Sequence, residues 1–163
     1  MNNPLHESLW KQFGASMDML ENAITLCPDE HWNTEKNFWY IAYHSLFWLD
    51  YYLSVEPAGF TPPAPFTLSE FDPSGALPDR TYSREELLNY LHASREKCRQ
   101  LLTSYQDELL TQRWINEYKN FSLFEMMLYN MRRVQHHTAQ LITLLRKETG
   151  HAPGWVSQTR HNI

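Results

Sequence analysis

Arg133 and His137 stand four residues apart in Met131-Arg132-Arg133-Val134-Gln135-His136-His137-Thr138-Ala139-Gln140-Leu141. On a helix this spacing puts both side chains on one face, a turn apart. Two histidines so placed would make a ready pair of metal ligands. Here one of the two is a permanent cation that keeps its proton. Asn130 extends the polar stripe, which otherwise runs through Met126, Val134, Leu141 and Leu144. A second intrusion is His44, set among Tyr40, Ile41, Phe47, Trp48 and Tyr51, with Asp50 falling on the opposite side of its helix. Polar groups on apolar faces are costly unless they are paired or bind something.

These residues leave several readings open. His44 and His137 could be core imidazoles satisfied by a Tyr hydroxyl or a backbone carbonyl. Arg133 could pair with an interior carboxylate or reach to the end of the helices with its charge in water. Alternatively, Arg133 flanked by His44 and His137 could receive a carboxylate or phosphate, the guanidinium supplying two parallel donors. His136 lies about 100° from His137 around the helix, which places it at the surface rather than in the same cavity. Tyr40 and Asn130 are the remaining candidates for the pocket lining.

Four helices must position these groups. Leu5, Leu9, Phe13, Met17, Leu20 and Ile24 recur at helical spacing, predicting a first helix from about Pro4 to Cys27, with Pro28 ending it. A second, apolar nearly all round and therefore central, runs from about Glu35 to Ser54. Residues 55–83 hold most of the prolines together with Phe60, Phe66 and Phe71, which predicts an ordered crossover whose rings dock on the helices. Ser83-Arg84-Glu85-Glu86 is a capping box opening a third helix to about Gln112. Ser122 to Glu125 repeats the pattern for a fourth, ended by Gly150. Trp155 and Val156 of the short tail are expected to anchor against the helices. The class is all-α, a single four-helix-bundle domain over 1–163 with a long Pro-rich crossover between helices two and three.

Composition narrows the function classes. The chain has 163 residues, 42% hydrophobic and 14% aromatic, enough for one substantial core. A net charge of −5 without a basic block argues against nucleic acid as a partner. Cys27 and Cys98 read as two reduced, buried thiols, and no CxxC pair exists to build a cysteine-rich zinc site. No phosphate-cradling glycine loop, dinucleotide fingerprint or Ser-His-Asp order is present. The Phe38–Leu53 run is interrupted by His44 and Asp50, so no bilayer span is expected. With no visible secretory signal, a cytoplasmic protein without membrane partners is expected.

The stretch Phe38-Trp39-Tyr40-Ile41-Ala42-Tyr43-His44-Ser45-Leu46-Phe47-Trp48-Leu49-Asp50-Tyr51-Tyr52-Leu53-Ser54 resembles the second-helix motif of the DinB/YfiT-like superfamily. Asp72-Pro73-Ser74-Gly75-Ala76-Leu77-Pro78, the Arg132-to-Leu141 stretch and Ala152-Pro153-Gly154-Trp155-Val156 resemble one branch of it, in the same order over most of the chain. That resemblance implies an up-down-down-up four-helix bundle, often a homodimer, holding one divalent metal, zinc or nickel, with three histidines. His44 and His137 match two ligand positions and Arg133 fills the third. Some members are thiol transferases that use a metal-bound thiolate or water.

Three functions follow from the residues and the resemblance together. One is a metal-free pocket for a small anionic ligand, with Arg133 replacing the charge of the metal and Asn130, His44 and Tyr40 completing the lining. Another is a metal-dependent thiol transferase or hydrolase that uses His44 and His137. The third is a dimeric structural or interaction module working through its aromatic surface.

Overall fold

The computed structural model describes residues 3–163; Met1 and Asn2, part of the single domain expected over 1–163, lie outside it. The chain is mostly helical. Helix α1 covers Pro4–Leu26, a short α2 covers Asp29–Trp32, α3 covers Phe38–Tyr52, α4 covers Arg84–Ser104 and α5 covers Leu123–Thr149. Helices α1 and α3 each pack against both α4 and α5. Strands β1 (Arg113–Ile115) and β2 (Asn120–Ser122) form one antiparallel pair, with Trp114 opposite Phe121.

The helix ends follow local chemistry. Asn3 caps α1 by accepting from Leu5 N, with Pro4 in the first turn. Ser83 and Glu86 exchange both bonds of a capping box, the Ser83 Oγ accepting from Glu86 N at 3.1 Å and Glu86 Oε2 from Ser83 N at 2.8 Å. Ser122 caps α5 through Glu125 N, and Gly150 closes it at φ +74°, the left-handed turn that glycine adopts without a Cβ penalty.

Several expectations need correction. Helix α4 stops at Ser104 rather than near Gln112. Leu109 reaches the core from a turn instead, with Phe124 N donating to Leu109 O and Leu123 N to Gln112 O. These bonds tie the loop to the start of α5. Fully buried Trp114 then anchors β1, its Nε1 donating to Ser54 O at 2.7 Å. Helix α3 begins at Phe38 rather than Glu35, because the chain turns at Asn37 with φ 58°, a conformation that asparagine tolerates better than most residues.

Helix α3 is the central element. Its Asp50 is buried and accepts from Tyr90 Oη at 2.9 Å and from Lys97 Nζ at 2.6 Å, which pins it to α4. The crossover docks on it through aromatic rings. Phe66 stacks on Tyr90 at 4.3 Å and on Tyr43 at 5.8 Å, while Phe60 and Phe71 pack edge-on against Phe47 and Tyr51. No helix among the described residues is long and apolar enough to cross a membrane. Cys27 and Cys98 are both buried and unbridged.

The tail is held, but not by Trp155, which is 74% exposed. Trp10 Nε1 donates to His161 O at 2.7 Å, Thr159 N to Lys11 O at 3.1 Å and Thr159 Oγ1 to Asp18 Oδ2 at 2.6 Å. Thr159 seats against Gly14, where an added Cβ would lie 2.5 Å from Thr159 Cγ2 and 2.7 Å from its Cβ. Gly→Ala inside a helix ordinarily stabilises by about 1 kcal/mol. At Gly14 the collision with a stiff, branched side chain reverses the sign. We expect Gly14→Ala to lower unfolding free energy by about 1–2 kcal/mol and to speed proteolysis of residues 151–163; an unchanged or raised stability in urea melts would contradict this account of the tail.

Candidate functional site

Tyr40, His44 and Trp48 occupy successive turns of α3 and so form one row of hydrogen-bond donors. All three donate to a single carboxylate, that of Glu70 in a short 3-10 turn, Ser69–Phe71, of the crossover. Tyr40 Oη reaches Oε1 at 2.8 Å, while His44 Nδ1 at 2.6 Å and Trp48 Nε1 at 3.0 Å share Oε2. The Glu70 side chain is only 4% exposed. Burial alone would raise its pKa, but the bonds from His44 and Tyr40, with a further one from Trp48, outweigh it and hold the carboxyl below its ordinary 4.5. In return, burial and contact with this anion push the Tyr40 phenol well up.

Glu70 was not among the candidate residues read from the sequence. Its three partners lie 22–30 positions away in the chain, and it sits in a segment with no periodic pattern. The one available signal was the donor row itself: a Tyr, a His and a Trp at four-residue spacing on an apolar helix require an acceptor.

On the other side of His44 lies His137. The two rings meet edge to face with centroids 4.8 Å apart, so α3 and α5 bring these two expected residues together. With His44 Nδ1 bound to Glu70, its Nε2 has no hydrogen-bond partner among the described residues. His137 Nδ1 pairs with Gln140 Oε1 at 2.9 Å, again leaving Nε2 free. Burial, together with His44, Arg133 and His136 nearby, holds His137 below the usual imidazole value of 6.5 despite the Gln140 bond. It is therefore neutral at pH 7.

Arg133 lies over two aromatic faces, its Cζ 5.8 Å from the centroids of both Trp48 and Tyr52. Its Nε is buried without a hydrogen-bond partner, and no carboxylate pairs with the guanidinium among the described residues. Trp48 thus links two charges: its ring lies beneath Arg133 while its Nε1 is bound to Glu70. The guanidinium opens onto a groove of about 510 Å³ lined by Tyr129, Arg132, Arg133, Gln135, His136 and His137. His136 shares this lining, contrary to the placement expected from its angle on the helix, because the groove is broad enough to span two rows of α5. Its ring is 5.1 Å from that of His137.

Asn130 does not line the groove. It is buried in the core, where Nδ2 donates to Leu49 O at 3.0 Å and ties α5 to α3. Tyr40 belongs to the Glu70 side of His44.

A tetrahedral zinc centre needs at least three protein donors without protons on the binding atoms. His44 and His137 offer two such nitrogens, and Arg133 offers none. Glu70 is already engaged at three points on the Nδ1 side of His44. Among the described residues, the one trio of His, Cys or acidic side chains close enough to share an ion is Asp18, Glu21 and His161, elsewhere on α1 and the tail. There Arg95 Nη2 already donates to both carboxylates, so that cluster is an ion-paired clamp. The residues at His44 and His137 do not fit a three-histidine metal centre.

Because the folded-state pKa of Glu70 lies below its unfolded value, its contribution to stability is complete above about pH 4.5 and is lost as pH falls through the folded value. Glu70→Gln should cost about 2–3 kcal/mol near pH 7, since bonds to a charged acceptor become bonds to a neutral one. The difference between mutant and wild type should shrink steadily below pH 4.5; a difference that is small at pH 7, or independent of pH, would show that the carboxylate does not hold the crossover. No protein-family model matches the chain, nor does any curated protein or solved structure.

Proposed function

We propose that the chain is a DinB/YfiT-like four-helix bundle that binds a small anionic molecule in the α5 groove, without a metal. The observation that carries this reading is the unneutralised guanidinium of Arg133. It is braced by Trp48 and Tyr52, it has no acidic partner among the described residues, and the Glu70 carboxylate bound to the same Trp48 is already held by other donors. A cation fixed over aromatic rings beside a neutral imidazole supplies the two parallel donors and the directionality that an oxyanion needs. The positive charge a metal would contribute comes here from the protein. The resemblance in the second-helix, crossover and last-helix motifs supports the fold and a homodimeric assembly.

A second reading has its own support. The 4.8 Å approach of His44 and His137, each with Nδ1 engaged, leaves two Nε2 atoms available together. Carboxylate-oriented imidazoles of this kind are common around bound metals. A thiol transferase or hydrolase would need the remaining donors from substrate or water, beside a repelling guanidinium.

Thermal unfolding separates the two. At fixed ionic strength and at about a hundredfold excess over Kd, a bound carboxylate or phosphate should raise Tm by about 5 °C or more. Arg133→Ala should abolish the rise, and exhaustive chelation should leave the wild-type Tm unchanged. Equal stabilisation of wild type and Arg133→Ala would overturn the anion reading. A Tm lowered by chelation and restored by zinc or nickel would favour the metalloenzyme.

A further inference from the structure

Two other features proved weaker. The Asp18–Glu21–His161 cluster is neutralised by Arg95, and buried His6 lines only a small cavity between the start of α1 and the end of α4. The α5 groove carries more.

The chain as a whole is acidic, at −5, yet the groove lining contains no carboxylate and every one of its six side chains can donate a hydrogen bond. Two of the six, Arg132 and Arg133, are adjacent permanent cations, and neither has an ion-pair partner among the described residues. Arg80, Arg84, Arg95 and Arg99 are paired with acidic groups; Arg113, Arg146 and Arg160 have no ion pair among the described residues either, but they do not line this groove. Tyr129, Arg133 and His137 form one row at four-residue steps, about 6 Å apart along the axis, while Arg132 and His136 form the row beside it. Lys119 adds a third cation at the Tyr129 end, its Nζ 5.3 Å from the Tyr129 ring and 5.7 Å from that of Tyr52.

We infer that the ligand of this groove carries a doubly charged tetrahedral oxyanion, a phosphate monoester group, held between the two rows by Arg132, Arg133 and Tyr129. This rests on the anion reading above and narrows it. A planar monocarboxylate is saturated by one guanidinium through two parallel bonds and neutralises one charge. It would leave Arg132, Tyr129 and His136 without work. A phosphate monoester presents three acceptor oxygens in different directions and close to two negative charges near neutral pH, which matches donors converging from two rows and two uncompensated arginines. Burial disfavours ionisation of Tyr129, yet the Tyr52 hydroxyl and the cations of Arg133 and Lys119 hold its phenol below the ordinary value of 10. A phenol in such a field is a strong donor toward an anion. The groove volume of about 510 Å³ leaves room beyond the phosphate for the body of a small molecule.

Nitrogen-15 NMR of the full chain, following the arginine Nε–H and backbone amide signals of α5, provides the test. The probes are inorganic phosphate, near pH 8 where it is mainly the dianion, and acetate, at constant ionic strength. Phosphate should shift the Arg132 and Arg133 signals saturably and bind about tenfold or more tightly than acetate, a gap of about 1.4 kcal/mol. Arg132→Ala and Tyr129→Phe, both on the groove surface, should each weaken phosphate severalfold and leave acetate nearly unchanged, while Arg133→Ala removes both. Equal affinities for acetate and phosphate, or insensitivity of phosphate to Arg132→Ala and Tyr129→Phe, would overturn the dianion inference and leave the anion reading intact. Absence of saturable shifts with either probe would overturn both.

Discussion

The Glu70 carboxylate is the constraint on which the site depends. A buried anion is tolerated only where donors replace the water it has lost, and here three successive turns of α3 supply them. The same three bonds perform two tasks. They fasten the proline-rich crossover to the central helix at the point where Phe60, Phe66 and Phe71 pack, and they fix His44 Nδ1 as a donor to the carboxylate. The orientation of His44 toward His137 is therefore decided by a residue from a segment that has no regular structure of its own.

The second consequence is a division of charge. With Glu70 spent on Tyr40, His44 and Trp48, Arg133 has no acidic partner among the described residues and rests instead on the faces of Trp48 and Tyr52. Cation–π contact stabilises a guanidinium without neutralising it. Trp48 separates the two charges, giving its indole N–H to the anion and its ring to the cation. What results is a compact site with a satisfied negative group inside and an unsatisfied positive group at the mouth. Under the proposed reading, that arrangement is what would receive an anion in place of a divalent ion.

Much of the fold was legible because its signals are local. The capping box at Ser83, the cap at Ser122, the glycine stop at Gly150 and the heptad-like spacing in α1 each depend on residues within a few positions. The meeting of His44 with His137 followed from polar residues on apolar faces, although the sequence could not say what lay on their far sides. Other features escaped because they depend on distant partners. Glu70 is read only against donors on another element, the turn around Leu109 only against the start of α5, and Trp114 only against Ser54. Asn130 lies on the α5 stripe but is turned to the core, where its partner is the Leu49 carbonyl on α3. Trp155 looked like an anchor by its size, yet the tail is fastened by Thr159, a smaller residue that fits against Gly14.

Metal content, by mass spectrometry, of untagged wild type and of the His44→Ala, His137→Ala, Arg133→Ala, Arg133→His and Arg133→His/His44→Ala variants tests most directly whether Arg133 takes the place of a metal. The account predicts that wild type and Arg133→Ala hold no stoichiometric zinc or nickel even after incubation with either ion. Arg133→His should approach one metal per chain, and removal of His44 should abolish that gain. Near-stoichiometric metal in the wild type, lost in His44→Ala and in His137→Ala, would contradict it and make Arg133 an accessory to a working metal centre.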